Sequence, residues 1–193
     1  PVMWFLTDLD APRARVIAID TRTPDRSAWK ELIPQTSDTL REVSSVGGRL
    51  IASYLQDAHS TVRMHALDGK HLRDLELPGL GSAGGFTGRR SDRETFYSFT
   101  GFSRPGTIYR YDIERDEATI FRSPRLQFDP ADYVTKQVFY TSRDGTRVPM
   151  FIAHRKDVRP DASTPALLYG YGGFEIPVTP AFSVSMLAWM EMG

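Results

Sequence analysis

At 193 residues, with 40% apolar and 25% charged residues, the chain has the make-up of an ordinary globular protein of one domain or two small ones. Its 24 basic residues balance 24 acidic ones, so no net field is available to recruit nucleic acid or anionic lipid, and neither is expected as a partner. There is no cysteine, which excludes disulfides and thiolate metal sites and is compatible with a reducing compartment.

The N-terminal segment has neither the length nor the basic flank of a signal peptide. No apolar run approaches the ~18 residues of a transmembrane helix, so no membrane partner is expected. The chain opens inside a predicted strand without an initiator Met and stops just past a predicted helix. Both ends read as cuts, and a fragment of a larger protein is expected. A cytoplasmic location is expected for the parent, although a signal peptide could lie upstream.

Residues 1–125 read as β-structure with an internal repeat. Segments 2–7, 50–55 and 95–100 are strand-like, and each leads through a polar turn into a second strand over 16–20, 62–68 and 107–112. These second strands end at Asp20, Asp68 and Asp112, a period of roughly 45 residues of the kind that propeller blades show. A third strand follows over 29–33, 72–77 and 118–122. An irregular β-sandwich is the alternative that this pattern leaves open.

The style changes after a connector at 123–133, where Pro124, Pro130 and the acidic pair Asp129 and Asp132 interrupt the repeat. Residues 136–141 and 147–154 flank Asp144 and Gly145, a strong hairpin signal. A charged loop at 155–163 leads to the short apolar run Ala166, Leu167, Leu168 and Tyr169, predicted to be a strand buried on both faces. Gly170, Gly172 and Gly173 then surround Tyr171. Glycine lets a backbone or ligand approach closely, and a phenol between glycines is a donor with little local packing to occupy it. Thr179 is predicted to cap a helix over 182–192 with Pro180 at its first position. Strand, loop, strand and helix in this order suggest the start of an α/β domain.

The hexapeptide YGYGGF at 169–174, with VTP at 178–180 and SVS at 183–185, resembles the prolyl oligopeptidase family of serine peptidases. The hairpin FYTSRDGTRVPMFIAHRK at 139–156 resembles the opening strands of that family's hydrolase domain, and the resemblance extends more diffusely over the residues before it. It implies a mixed fold: the last blades of a seven-bladed β-propeller over residues 1–125, then a hinge and the N-terminal part of an α/β-hydrolase domain over 126–193. It also implies cleavage of short peptides after proline through an acyl-enzyme, with no cofactor and no metal, by a parent that is a monomer. Short proline-containing peptides are the expected partners.

By the same resemblance Tyr171 supplies its hydroxyl to an oxyanion hole, with a packed core ring as the alternative. Phe174 matches the phenylalanine that lines the pocket for the proline ring, with an ordinary core residue as the alternative. Glu175 stands where the family often has a neutral polar residue, which leaves that position's role open. No serine nucleophile is expected here: LGSAG at 80–84 lacks the first glycine and the strand-to-helix context of a nucleophile elbow, so Ser82 is predicted to be a turn residue. His59, His65, His71 and His154 are scattered and suggest neither a triad nor a metal site. This stretch alone is therefore expected to be inactive. Two other functions stay open: a non-catalytic propeller binding module with a structural α/β cap, and another peptidase or esterase of the same superfamily.

Overall fold

The protein is described by a computed structural model over residues 1–174 and 176–192. Three antiparallel sheets follow one another along the chain. The first holds β1 (Val2–Thr7), β2 (Arg15–Asp20) and β3 (Lys30–Ile33); the second holds β4 (Thr39–Val46), β5 (Arg49–Gln56), β6 (His59–His65) and β7 (His71–Leu75). The third holds β8 (Ser82–Thr87), β9 (Glu94–Thr100), β10 (Thr107–Asp112) and β11 (Glu117–Arg122). In each, sequence neighbours pair edge to edge, the meander expected of a propeller blade. A separate hairpin of β12 (Tyr133–Thr141) and β13 (Arg147–Arg155) follows, and the described chain closes with α1 (Val184–Glu191).

The predicted repeat is present, and its aspartates have a local cause. Asp20 accepts the Arg22 N–H at 3.0 Å, Asp68 that of Lys70 at 3.0 Å, and Asp112 those of Glu114 and Arg115 at 3.0 and 2.9 Å. Each carboxylate thus holds its own backbone in the turn between the last two strands of a sheet. Asp68 lies in this turn rather than in the strand predicted over 62–68, which ends at His65. The full sheets carry a further strand, β4 and β8, that the three-strand repeat did not include.

Sheet stacks on sheet, and β5 shows why the stack holds. Its sequence RLIASYLQ is buried almost throughout instead of alternating, as a strand covered on both faces must be. Leu50, Ala52 and Tyr54 join Val16, Ile33 and Leu40 in the core shared with the first sheet. Ile51 points the other way, into a core with Val46, Val62, Met64, Phe86, Tyr97, Phe99 and Tyr109 that is shared with the third sheet. There Phe86, Tyr97 and Tyr109 form a continuous stack at 4.7 and 5.1 Å between centroids, each pair tilted by 12°. Burial in this stack, with Tyr109 alongside, pushes the Tyr97 phenol up to about 12. Phe86 reaches it from a bulge in β8, where the pairing steps from Gly85 to Thr87 and Phe86 itself has φ of +56°. Polar ties run between the same sheets. Ser44 Oγ donates to the Phe86 carbonyl at 2.6 Å, and an Arg73 guanidinium on β7 donates to the Ile113 carbonyl at 2.6 Å and ion-pairs with Asp116.

Two expectations for the last third are corrected. Residues 165–172 form no regular secondary structure, and Leu168 is 86% exposed. A strand exists only through hydrogen bonds to a neighbour, and none among the described residues lies beside this run. Thr179 and Pro180 do not start a helix: Ser183 holds the N-cap position of α1, while Pro180 is fully buried against the third sheet. Ser82, expected in a turn, is the first residue of β8. Glu175 lies outside the described residues.

One buried group gives the stacked sheets a pH dependence. His65, at the end of β6, donates from Nδ1 to the Gly69 carbonyl at 3.0 Å, and its buried Nε2 has no partner among the described residues. Burial lowers its pKa from 6.5, opposed by the Gly69 bond, with the His71 ring 5.4 Å away adding repulsion. A lowered histidine pKa means the unfolded chain binds the extra proton first. Stability from neutral His65 is present above pH 6.5 and is lost as pH falls below it. Urea titrations of the protein at a series of pH values should show this loss. In His65→Asn, whose amide keeps a donor for Gly69 and cannot titrate, the slope below pH 6.5 should flatten. An unaltered slope would place the titrating group elsewhere.

Candidate functional site

The hairpin carries the second part of the chain to the stacked sheets. Its turn is closed by Gly145, at φ +86°, and by Asp144, which accepts the Thr146 N–H at 3.0 Å. Gln137 on β12 donates to the Asp57 carbonyl in the β5–β6 turn at 2.5 Å, and Phe151 on β13 packs against Phe102 after β9, with centroids 5.4 Å apart. The turns of the second and third sheets at one end of the stack therefore meet the hairpin. Nearby, Phe128 stacks on Phe182 with centroids 5.7 Å apart. Glu191 of α1 accepts from the Tyr133 hydroxyl and from Arg155 Nη1, the latter at 3.1 Å. These groups border a hollow of about 610 Å³ at the junction, distinct from the glycine loop.

The glycine loop itself stands open. Tyr171 is 51% exposed and Phe174 is 90% exposed, so neither is a packed core ring here. Gly172 has φ of +69°, and Phe174 follows at +53°, a conformation a bulky side chain rarely takes. The Ile176 N–H donates to the Gly173 carbonyl at 3.1 Å and turns the chain back. A Cβ added at Gly173 would come within 3.8 Å of the Tyr171 ring, whereas Gly170 and Gly172 face open space. The result is a shallow hollow formed by Gly172, Gly173, Phe174, Ile176 and Pro177. Chemically it offers one exposed phenol on a backbone stripped of side chains, and one exposed aromatic ring three residues away.

Ser82 and three of the four histidines are engaged elsewhere, while the buried Nδ1 of His59 has no partner among the described residues. His65 bonds Gly69, His71 meets Asp74 at 2.8 Å, and His154 lies 2.7 Å from the Arg155 carbonyl. The Ser82 hydroxyl is turned to the Pro180 carbonyl at 2.7 Å. Among the described residues no cluster of histidine and acidic groups could hold a metal, and no helix is long and apolar enough to cross a membrane. Sequence reasoning placed Ser82 in a turn and did not single out Thr100, yet both hydroxyls bond the segment after the glycine loop. A serine or threonine in a strand carries no local pattern by which this could be found.

Residues 2–124 match the family model described as prolyl oligopeptidase, N-terminal beta-propeller domain. That match covers more than half of the chain. The chain belongs to the prolyl oligopeptidase family. Among curated relatives, a prolyl endopeptidase from Elizabethkingia miricola is 42% identical over 99% of this chain. A solved prolyl endopeptidase structure superposes with a TM-score of 0.91 at 41% identity over the whole chain, which covers 28% of that structure. Prolyl oligopeptidase B from Galerina marginata superposes with a TM-score of 0.86 at 31% identity, over 99% of this chain and 28% of that one. The chain spans 27% of the length of the Elizabethkingia relative. In this family the three stacked sheets are blades of a β-propeller, and the hairpin, loop and helix that follow are the start of an α/β domain.

Proposed function

We propose that this chain is the part of a serine-type prolyl oligopeptidase that presents the oxyanion tyrosine and one wall of the proline pocket. Residues 1–125 are taken as the C-terminal blades of the propeller, and 126–193 as the hinge and the beginning of the peptidase domain. The observation that carries the reading is the exposed Tyr171 on a glycine-flanked loop, in a chain of this family. The relatives named as prolyl endopeptidases favour it over a non-catalytic binding module.

On this reading a serine supplied by another part of the enzyme attacks the carbonyl carbon of a proline residue in a short peptide, forming the acyl-enzyme and releasing the amine of the residue that follows. The oxygen of that carbonyl gains a full negative charge in the tetrahedral intermediate. The Tyr171 hydroxyl donates to it, and a donor already in place as the charge develops needs little reorganisation. Gly170 and Gly172 leave space for the peptide backbone to approach. Phe174 offers an apolar face to the proline ring, which has no hydrogen bond to give. The attacking group, its base and the orienting carboxylate are not assigned within this chain, so the chain alone is expected to be inactive. The whole enzyme is taken to act as a cytoplasmic monomer; a chain without cysteine loses nothing in a reducing compartment.

In the full-length enzyme, Tyr171→Phe keeps the ring and removes the donor. On an amide substrate kcat should fall on the order of 10²–10³, with KM little changed, because the bond is made more strongly in the transition state. An unaltered kcat would remove Tyr171 from the oxyanion hole. For Phe174→Ala, kcat/KM should fall further for substrates with proline at the cleavage site than for those with alanine, since the proline ring uses the aromatic wall and the alanine methyl hardly reaches it. Equal losses on the two substrates would return Phe174 to a structural role.

A further inference from the structure

Ser82 and Thr100 are register partners across the β8–β9 ladder, so their side chains form one rung at the end of the third blade. Both hydroxyls are spent on the backbone of the segment after the glycine loop. Ser82 Oγ donates to the Pro180 carbonyl at 2.7 Å, and Thr100 Oγ1 accepts the Phe182 N–H at 3.1 Å. Thr100 also donates to the Arg104 carbonyl at 3.1 Å, which uses its proton and leaves a lone pair for Phe182. Pro180 is fully buried. The rung has no room to drift: a Cβ at Gly81 would fall 2.1 Å from the Phe99 ring and 2.5 Å from the Thr100 carbonyl oxygen.

The stretch that precedes this rung makes no distant hydrogen bond among the described residues. Among the described residues the hydrogen bonds of 157–179 are local: Arg155 to Asp157, Val158 to Arg155, Thr164 to Asp161 and Arg159, Ile176 to Gly173, and the bonds among Asp161, Ser163 and Thr164. Among the described residues, Ser82 and Thr100 are the first distant hydrogen-bond partners that the chain meets after the loop. We infer that Ser82 and Thr100 are positioning residues that set the register of the oxyanion segment against the third blade, so that Tyr171 is correctly placed only while blade and segment are in contact. This rests on the oxyanion reading of Tyr171. It gives the propeller a part in assembling the site, through two hydroxyls that touch neither substrate nor reacting atoms.

The test uses the full-length enzyme with Ser82→Ala and Thr100→Val combined, read by steady-state kinetics on a proline amide and by hydrogen exchange. kcat should fall about tenfold with KM changed less than about twofold, and exchange should quicken across 176–182 while the blade cores keep their protection. Thr100→Ser, which retains a hydroxyl, should leave both readouts near the starting enzyme. In a Tyr171→Phe background the loss from the double change should shrink below about twofold, since the group being positioned has already gone. An equal loss in that background, or unaltered exchange across 176–182, would overturn the inference. An unaltered kcat in Tyr171→Phe alone would overturn the oxyanion reading and this role with it. Quickened exchange in the double variant would then separate that failure from a rung that holds nothing.

Discussion

A propeller blade has two apolar faces and covers neither by itself. The whole arrangement here depends on β5, which sends Leu50, Ala52 and Tyr54 to one neighbour and Ile51 to the other. Burying a side chain of this size contributes roughly 1.5–3 kcal/mol, so a blade left without its neighbour on one side forfeits several such terms at once. This is why cohesion is a property of the stack and not of the single sheet. The aromatic column of Phe86, Tyr97 and Tyr109 adds to the same interface, and the β8 bulge that feeds it accepts a positive φ at Phe86 in return for placing the ring.

The glycine loop lives under the opposite rule. Its residues are exposed and its internal bonds are few, so its shape is set by where its ends are held. The N-terminal end leaves the hairpin near Lys156, whose N–H donates to the Asp132 carbonyl at 2.8 Å. The other end is pinned at Pro180. Rigid scaffold and bare loop are complementary: the blades supply fixed points, and the loop supplies chemistry with little side-chain bulk around it.

Much of this was legible in the sequence, and the part that was not shares a cause. The blade repeat showed because its marks are local: apolar strand segments and aspartates that bond their own turns at Asp20, Asp68 and Asp112. The strands β4 and β8 were overlooked because TLREVSSV and SAGGFT carry polar and glycine residues where a strand pattern expects apolar ones. Thr179 and Pro180 carry a genuine helix-start signal, but burial of Pro180 against the third blade overrides it. The strand expected at 166–169 needed partners that no local pattern can report. At the candidate site the hexapeptide around Tyr171 stood out by its glycines, whereas Ser82 read as a turn residue and Thr100 as any strand hydroxyl.

The pairing of Ser82 with Thr100 has a consequence for how this part of the protein can vary in length. Side chains alternate faces along a strand, so inserting or deleting one residue in either β8 or β9 between the rung and the next turn would rotate one hydroxyl to the opposite face. The turn at 101–106 lies beyond the rung but is tied to it, since it holds the Arg104 carbonyl to the Thr100 hydroxyl and the Phe102 ring to Phe151. The two strands therefore keep a fixed count between the bulge at Phe86 and the rung that meets Pro180 and Phe182.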